Sequence, residues 1–267
     1  MGKYAFDINK VLFSKIRLFL GILLFILSAF FAYFLFVFMY VIRIKSPLPY
    51  YKIAKFFCRA ITKTLGIRVK IKGNYHVKGS KYIFAANHLS FIDHFITLYA
   101  IPGYFRFAAL HMIFDLPIIG FIMKRIGTLP IERTFVKEKI DKDLNRVVEA
   151  LKTGSILIYP EGRFSKDGKL QEFRRGTAEI AMRSGKPVMP MAIAGCFSVL
   201  PPPPYKIVKK GLGFISYLIF WLNHNIKSFK SATITVTFGN PQIFQPKQKI
   251  EDFTHNLRNQ IADLLKV

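Results

Sequence analysis

Lys81-Tyr82-Ile83-Phe84-Ala85-Ala86-Asn87-His88-Leu89-Ser90-Phe91-Ile92-Asp93 is the stretch on which the reading of this chain turns. Residues 81–86 form a short apolar run of the kind that makes a buried strand. The run stops at Asn87-His88, and Phe91 to Tyr99 then reads as helical. A strand that hands polar residues to the start of a helix is a common seat of an active site in α/β proteins.

The same alternation continues on both sides. Residues 48–65 read as a helix, with Ile53, Phe56, Phe57, Ala60, Ile61 and Leu65 on one apolar face. Val69 to Ile71 reads as a strand followed by a Gly73-Asn74 turn. Further along come a strand at Arg106–Leu110, a short helix at Ile118–Arg125 after Pro117, and a strand at Gly127–Ile131. Val136 to Leu151 is the clearest helix, with Val136, Ile140, Leu144, Val147, Val148 and Leu151 on one face and Gly154 past its end. Ser155–Tyr159 is a strand that runs into Pro160-Glu161-Gly162. A helix at Thr177–Arg183, strands at Pro187–Ile193 and Thr233–Phe238, and an amphipathic helix at Ile250–Leu265 complete the pattern. It predicts an α/β domain with a mixed, partly parallel sheet flanked by helices.

Charge and hydropathy narrow the partners. With 40 Lys+Arg against 15 Asp+Glu, the formal net charge is +25, a field that attracts polyanions. No helix-turn-helix, zinc or RNA-recognition signature accompanies it, so nucleic acid is not the expected partner. Leu18 to Ile42 instead gives 25 residues without a charge, flanked by Lys10, Lys15 and Arg17 before and Arg43 and Lys45 after. About 20 apolar residues suffice to cross a bilayer as a helix. The expected organisation is a hydrophobic membrane-anchoring helix within residues 1–47 and the main α/β domain over 48–267. Lys52, Lys55, Arg59 and Lys63 place that domain on the cytoplasmic face of the cell membrane by the positive-inside rule. A single span is preferred on length. The alternative is a re-entrant or monotopic anchor bent near Gly21 or Ser28. Leu212–Leu222 is too short to span and reads as an interfacial or core helix. Cys58 and Cys196 stand far apart in no ligand pattern and read as two free buried thiols.

A histidine at a strand-to-helix junction suits general base catalysis, because imidazole titrates near neutral pH. A carboxylate on its second ring nitrogen would fix the tautomer. Asp93 lies five positions beyond His88, a spacing that does not face it on one continuous helix. The two meet only if His88 precedes the helix and the chain turns between them, with Ser90 as the cap of that turn. Taken alone, such a pair is more often a satisfied polar residue beside a surface charge. Neither Gly-x-Ser-x-Gly nor a phosphate-binding Gly-x4-Gly-Lys occurs.

Asn87-His88 with Asp93 resembles the His-x4-Asp motif of the glycerolipid acyltransferase superfamily, and is most similar to that of the 1-acylglycerol-3-phosphate acyltransferases. Three further blocks follow in that family's order. They are Leu116-Pro117-Ile118-Ile119-Gly120 with Gly127-Thr128-Leu129-Pro130-Ile131-Glu132-Arg133; Tyr159-Pro160-Glu161-Gly162-Arg163-Phe164-Ser165 with Phe173-Arg174-Arg175-Gly176; and Val188-Met189-Pro190-Met191-Ala192. A late Phe238-Gly239-Asn240-Pro241 also resembles the family. The resemblance covers residues 70–245. It implies that His88 takes the proton of an acceptor hydroxyl, that Asp93 orients it, and that the freed oxygen attacks an acyl thioester without an acyl-enzyme. It also implies that Arg133, Glu161, Gly162 and Arg163 hold a glycerol phosphate.

Two departures bear on the acceptor. The family's third block commonly reads Glu-Gly-Thr-Arg, whereas here Arg163 comes one place early and Phe164 takes the arginine's place. Leu110 and His111 stand where a lysine is common. The expected activity is acyl transfer from acyl-CoA or acyl carrier protein to lysophosphatidic acid, giving phosphatidic acid. No cofactor or metal is expected. The alternatives are another lysophospholipid or an amino-acid lipid as acceptor, or a non-catalytic membrane-surface or nucleic-acid binding protein.

Overall fold

The computed structural model describes residues 8–73, 81–132, 134–202 and 232–266, with the side chains of 8–18, 21, 22, 25 and 117 left aside. Seven strands form one sheet: β1 (Arg68–Lys72), β2 (Ile83–Ala86), β3 (Phe105–Leu110), β4 (Leu129–Ile131), β5 (Ser155–Ile158), β6 (Val188–Ala194) and β7 (Thr233–Phe238). Their order is β1-β7-β6-β2-β5-β3-β4. Every pairing is parallel except β6 with β7. The mixed, mostly parallel sheet agrees with the alternation of elements in the sequence.

β2 is central, between β5 and β6, and all four of its residues are buried. Alternation along it feeds two cores. Phe84 and Ala86 pack on one face with α2 (Pro47–Thr64), α3 (Asp93–Ala100) and α4 (Pro117–Arg125). Ile83 and Ala85 pack on the other with α5 (Lys137–Leu151), α6 (Gly176–Ser184) and the C-terminal helix α8 (Ile250–Leu264). Pro190 sits inside β6, although proline cannot donate to a ladder. It does so just before the antiparallel register with β7 begins at Met191, where its carbonyl accepts from Gly239 at 2.9 Å. A 3₁₀ turn at His111–Asp115 and a one-turn helix α7 at Cys196–Val199 are additions the periodicity did not announce.

Two helix faces differ from expectation. α2 buries Tyr50, Tyr51, Cys58, Ile61 and Thr62, while Phe56 is 67% exposed. The buried stripe follows polar-tipped Tyr50 and Tyr51, whose hydroxyls donate to the carbonyls of Ile44 and Gly103. In α5, Leu144, Val147 and Leu151 are buried, whereas Ile140, and Val136 at the N-cap, are exposed.

The expected membrane span is not borne out. Residues Ile8–Val41 form one helix, α1. Among the described residues, however, no helix is long and apolar enough to cross a membrane. One face of the end of α1 packs on the domain itself. Phe36 and Met39 are buried, Phe36 meets Tyr50 edge-on at 5.1 Å, and Tyr33 and Tyr40 meet Phe121 of α4 at 6.0 and 5.7 Å. Leu212–Leu222 and Asn74 lie outside the described residues.

Candidate active site

The chain turns between His88 and Asp93 in the way their spacing demands. His88 closes the C-terminal end of β2, and Asp93 opens α3. Ser90 is not the N-cap of α3, a place that Ile92 takes without a side-chain bond, but it fixes the turn: its Oγ accepts from the Ile92 N–H at 3.2 Å and donates to the carbonyl of Leu200. Asp93 Oδ2 accepts three hydrogens, from His88 Nδ1 at 3.0 Å and from the N–H groups of Leu89 and Ser90 at 2.6 and 2.8 Å. A carboxylate only accepts, so Nδ1 carries the proton and Nε2 keeps its lone pair. Nε2 has no partner among the described residues, and the His88 side chain is 10% exposed. The arrangement is that of a general base with its tautomer fixed.

Aromatic rings hold the imidazole on both faces. Tyr159 stacks on it at 3.8 Å and 9°, and Phe164 lies at 4.0 Å and 37°. Two rings that close cannot share one face, so the imidazole is sandwiched. His94 adds an edge contact at 5.3 Å. Its Nδ1 bonds the Phe91 carbonyl at 3.2 Å. Burial, reinforced by His88, lowers His94 to about 4, so it stays neutral where His88 works. Burial, with Asp93 nearby, raises the Tyr159 hydroxyl well above its ordinary value.

Two distant segments fix the backbone around His88. Asn87 accepts from Ile193 N–H at 2.7 Å and donates to the Ile193 carbonyl at 2.9 Å. Glu161 Oε1 accepts the His88 N–H at 2.7 Å, and Oε2 accepts the Gln171 N–H at 2.9 Å. Ser165 N–H donates to the His88 carbonyl at 2.8 Å. Glu161 is 1% exposed, and burial raises its carboxyl above the ordinary range while the two N–H groups hold it down.

The residues expected to hold a glycerol phosphate are placed unevenly. Gly162 adopts φ +62, a left-handed conformation suited to glycine, on the exposed turn after β5. Arg163 is exposed beside it and near Glu161. Both oxygens of Glu161 are engaged with backbone, so it faces the loop rather than a ligand. Arg133 lies outside the described residues. His111 is exposed in the 3₁₀ turn. Both cysteines are free and buried, and burial pushes Cys58 up to about 12 and Cys196 well above its ordinary value. Neither thiol is therefore a nucleophile. Among the described residues no group of His, Cys, Asp or Glu is placed to hold a metal ion.

The family model described as Acyltransferase matches residues 68–194, from the first residue of β1 to the last of β6. Residues 68–194 are thus similar to an Acyltransferase domain. The matched range contains His88, Asp93 and the Glu161 turn. A chloroplastic 1-acyl-sn-glycerol-3-phosphate acyltransferase of Brassica napus is 34% identical to it over 130 residues, which cover 48% of this chain and 37% of the relative. One from Arabidopsis thaliana is 33% identical over 147 residues, 54% of this chain and 41% of the relative. The aligned part thus spans about two fifths of those relatives. A 1-acyl-sn-glycerol-3-phosphate acyltransferase of Saccharomyces cerevisiae is 26% identical over 226 residues, 83% of this chain and 68% of that protein. The crystal structure of the 1-acyl-sn-glycerophosphate acyltransferase of Thermotoga maritima superposes with a TM-score of 0.66 over 97% of both chains at 17% identity, and so shares the fold of the acyltransferase domain and its flanking helices.

Proposed function

We propose that this chain transfers a fatty acyl group from an acyl thioester, acyl-CoA or acyl carrier protein, to the free hydroxyl of 1-acylglycerol-3-phosphate, forming phosphatidate. The observation that carries the reading is the His88–Asp93 pair, with Nδ1 committed to the carboxylate and Nε2 uncommitted. Nε2 takes the proton of the acceptor hydroxyl as its oxygen attacks the thioester carbonyl carbon. The tetrahedral intermediate collapses, the carbon–sulfur bond breaks, and the thiolate leaves with the proton from Nε2. Base and acid are one residue, and no acyl-enzyme forms.

Tyr159 and Phe164 keep the ring in one orientation through both proton transfers, which limits reorganisation at each step. Aromatic faces also favour the imidazolium between them. The named relatives support lysophosphatidate as acceptor. The test uses protein in lipid discs, given lysophosphatidate with long-chain acyl-CoA or acyl carrier protein. Intact protein forms phosphatidate from one donor, and His88→Ala loses about a hundredfold or more of the rate. Equal product from both proteins would remove His88 as the base. Activity only on another lysophospholipid would transfer the same chemistry to that acceptor.

The reading includes a seat on the cytoplasmic face of the cell membrane. Phe19, Leu23, Leu27, Phe30 and Phe31 of α1 are exposed. Arg59, Lys63 and Arg68 line a cleft of about 320 Å³ beside α2. An apolar helix with nearby cations suits anionic lipid without a crossing. Flotation with anionic and neutral vesicles tests it, and protein left at the bottom of both gradients would overturn it.

A further inference from the structure

The turn that brackets His88 also presents cations, and they are not equivalent. Phe164 lies against the imidazole and closes that face to any charged group. Arg163 is exposed near Glu161, whose two oxygens are taken by backbone N–H groups. Arg174 is fixed at two points. Its N–H donates to the Pro160 carbonyl at 2.8 Å, and its side chain lies on Gly162, where an added Cβ would fall 2.8 Å from Nε and 2.9 Å from Cδ. The missing side chain at Gly162 is thus what lets this guanidinium reach the turn.

Charge pairing separates Arg174 from its neighbours. Arg175 is paired with Glu251, and Arg258 with Glu172. Arg174 is exposed and has no ion pair among the described residues. A guanidinium presents N–H donors in a fixed fork that matches phosphate oxygens. The glycerol hydroxyl and the phosphate of the acceptor are a few bonds apart. A hydroxyl on His88 Nε2 therefore keeps the phosphate near the turn that Glu161 ties to His88.

We propose that Arg174 holds the phosphate of the acceptor on the turn that Gly162 opens to it, an assignment that rests on the acceptor being a lysophospholipid as read above. Gly162 serves the site by leaving room for Arg174. The site selects a phosphate monoester, whose charge of about −1.5 to −2 exceeds that of a diester headgroup.

Binding is measured with lysophosphatidate and, separately, neutral monoacylglycerol, titrated into protein held in discs of phosphatidylcholine. Arg174→Gln weakens lysophosphatidate binding by about tenfold or more, the scale of one charge-assisted contact. It leaves monoacylglycerol binding as in the intact protein. Arg175→Gln matches the intact protein for both. Gly162→Ala, checked for folding by thermal unfolding, reproduces the loss by displacing the guanidinium. Arg174→Gln binding lysophosphatidate as tightly as the intact protein overturns the proposal, and so does an equal loss for monoacylglycerol. Phosphatidate formation is followed on the same samples. Binding that depends on Arg174 without any turnover of intact protein would sink the reaction and leave the phosphate site standing.

Discussion

Glu161 grips His88 by its backbone rather than its ring: Oε1 accepts the His88 N–H at 2.7 Å, while Oε2 accepts the Gln171 N–H at 2.9 Å. The carboxylate joins the turn after β5 to the end of β2 and then to the loop before α6. Glu161→Ala leaves two buried N–H groups without acceptors, at a cost of about 1–3 kcal/mol each. The expected result is a drop of about 2–5 kcal/mol in unfolding free energy by denaturant titration. An unchanged midpoint would show that neither bond contributes.

Asp93→Asn should remove most of the activity while the protein still folds. The amide oxygen can take the place of Oδ2 toward Leu89 and Ser90, but it brings no charge to stabilise an imidazolium. A rate loss of about a hundredfold to ten-thousandfold is expected, as for other carboxylate–histidine pairs. Turnover and thermal unfolding measured on the same preparation separate lost chemistry from a lost fold. A variant that is folded and fully active would leave His88 without an orienting partner.

His94 makes stability depend on pH in a definite direction. Its pKa is lowered from 6.5 to about 4 in the folded protein, chiefly by burial. Its contribution is full above 6.5 and is lost as pH falls through that window to about 4, because the unfolded chain binds the proton first. The folding constant falls by roughly tenfold per pH unit inside the window from this group. Glu161 works in the opposite sense near the acid end, since its raised carboxyl favours the folded state at low pH. Comparing the intact protein with His94→Phe cancels Glu161, which both contain. The variant should lose less stability between pH 6.5 and 4, and parallel curves would refute the assignment.

Asn87→Ala should destabilise rather than inactivate directly. It strips both partners from the buried Ile193 backbone on the neighbouring strand. A loss of about 2–4 kcal/mol is expected from two orphaned groups. Hydrogen exchange at Ile193 should accelerate with it, and protection equal to that of the intact protein would show the clamp to be dispensable.

The sequence made the sheet legible because β2 and β6 are continuous apolar runs, as strands buried on both faces must be. It made the His88–Asp93 pair legible because only a turn lets those positions meet. Periodicity failed where tertiary contacts overrode it. Phe56 reads as core on the α2 wheel, yet Tyr50 and Tyr51 took the buried side because their hydroxyls found backbone carbonyls. Uninterrupted hydropathy suggested a span, but nothing local says that Phe36 and Met39 are spoken for by Tyr50 and the domain. The role of Glu161 was equally hidden, because its two donors lie 73 residues before it and 10 after. Tyr159 and Phe164 were visible as aromatics beside Pro-Glu-Gly. Only the fold brings them to the two faces of one imidazole.

Within residues 87–90, Asn87 is held by β6, His88 by the turn after β5, and Ser90 by the segment after α7. Its local bonds to Asp93 are completed only by chain made much later. A nascent chain released before residue 200 would carry the histidine but not the catalyst. In this protein enzymatic turnover is therefore a gauge of completed assembly, with activity and the global fold expected to be lost together on heating.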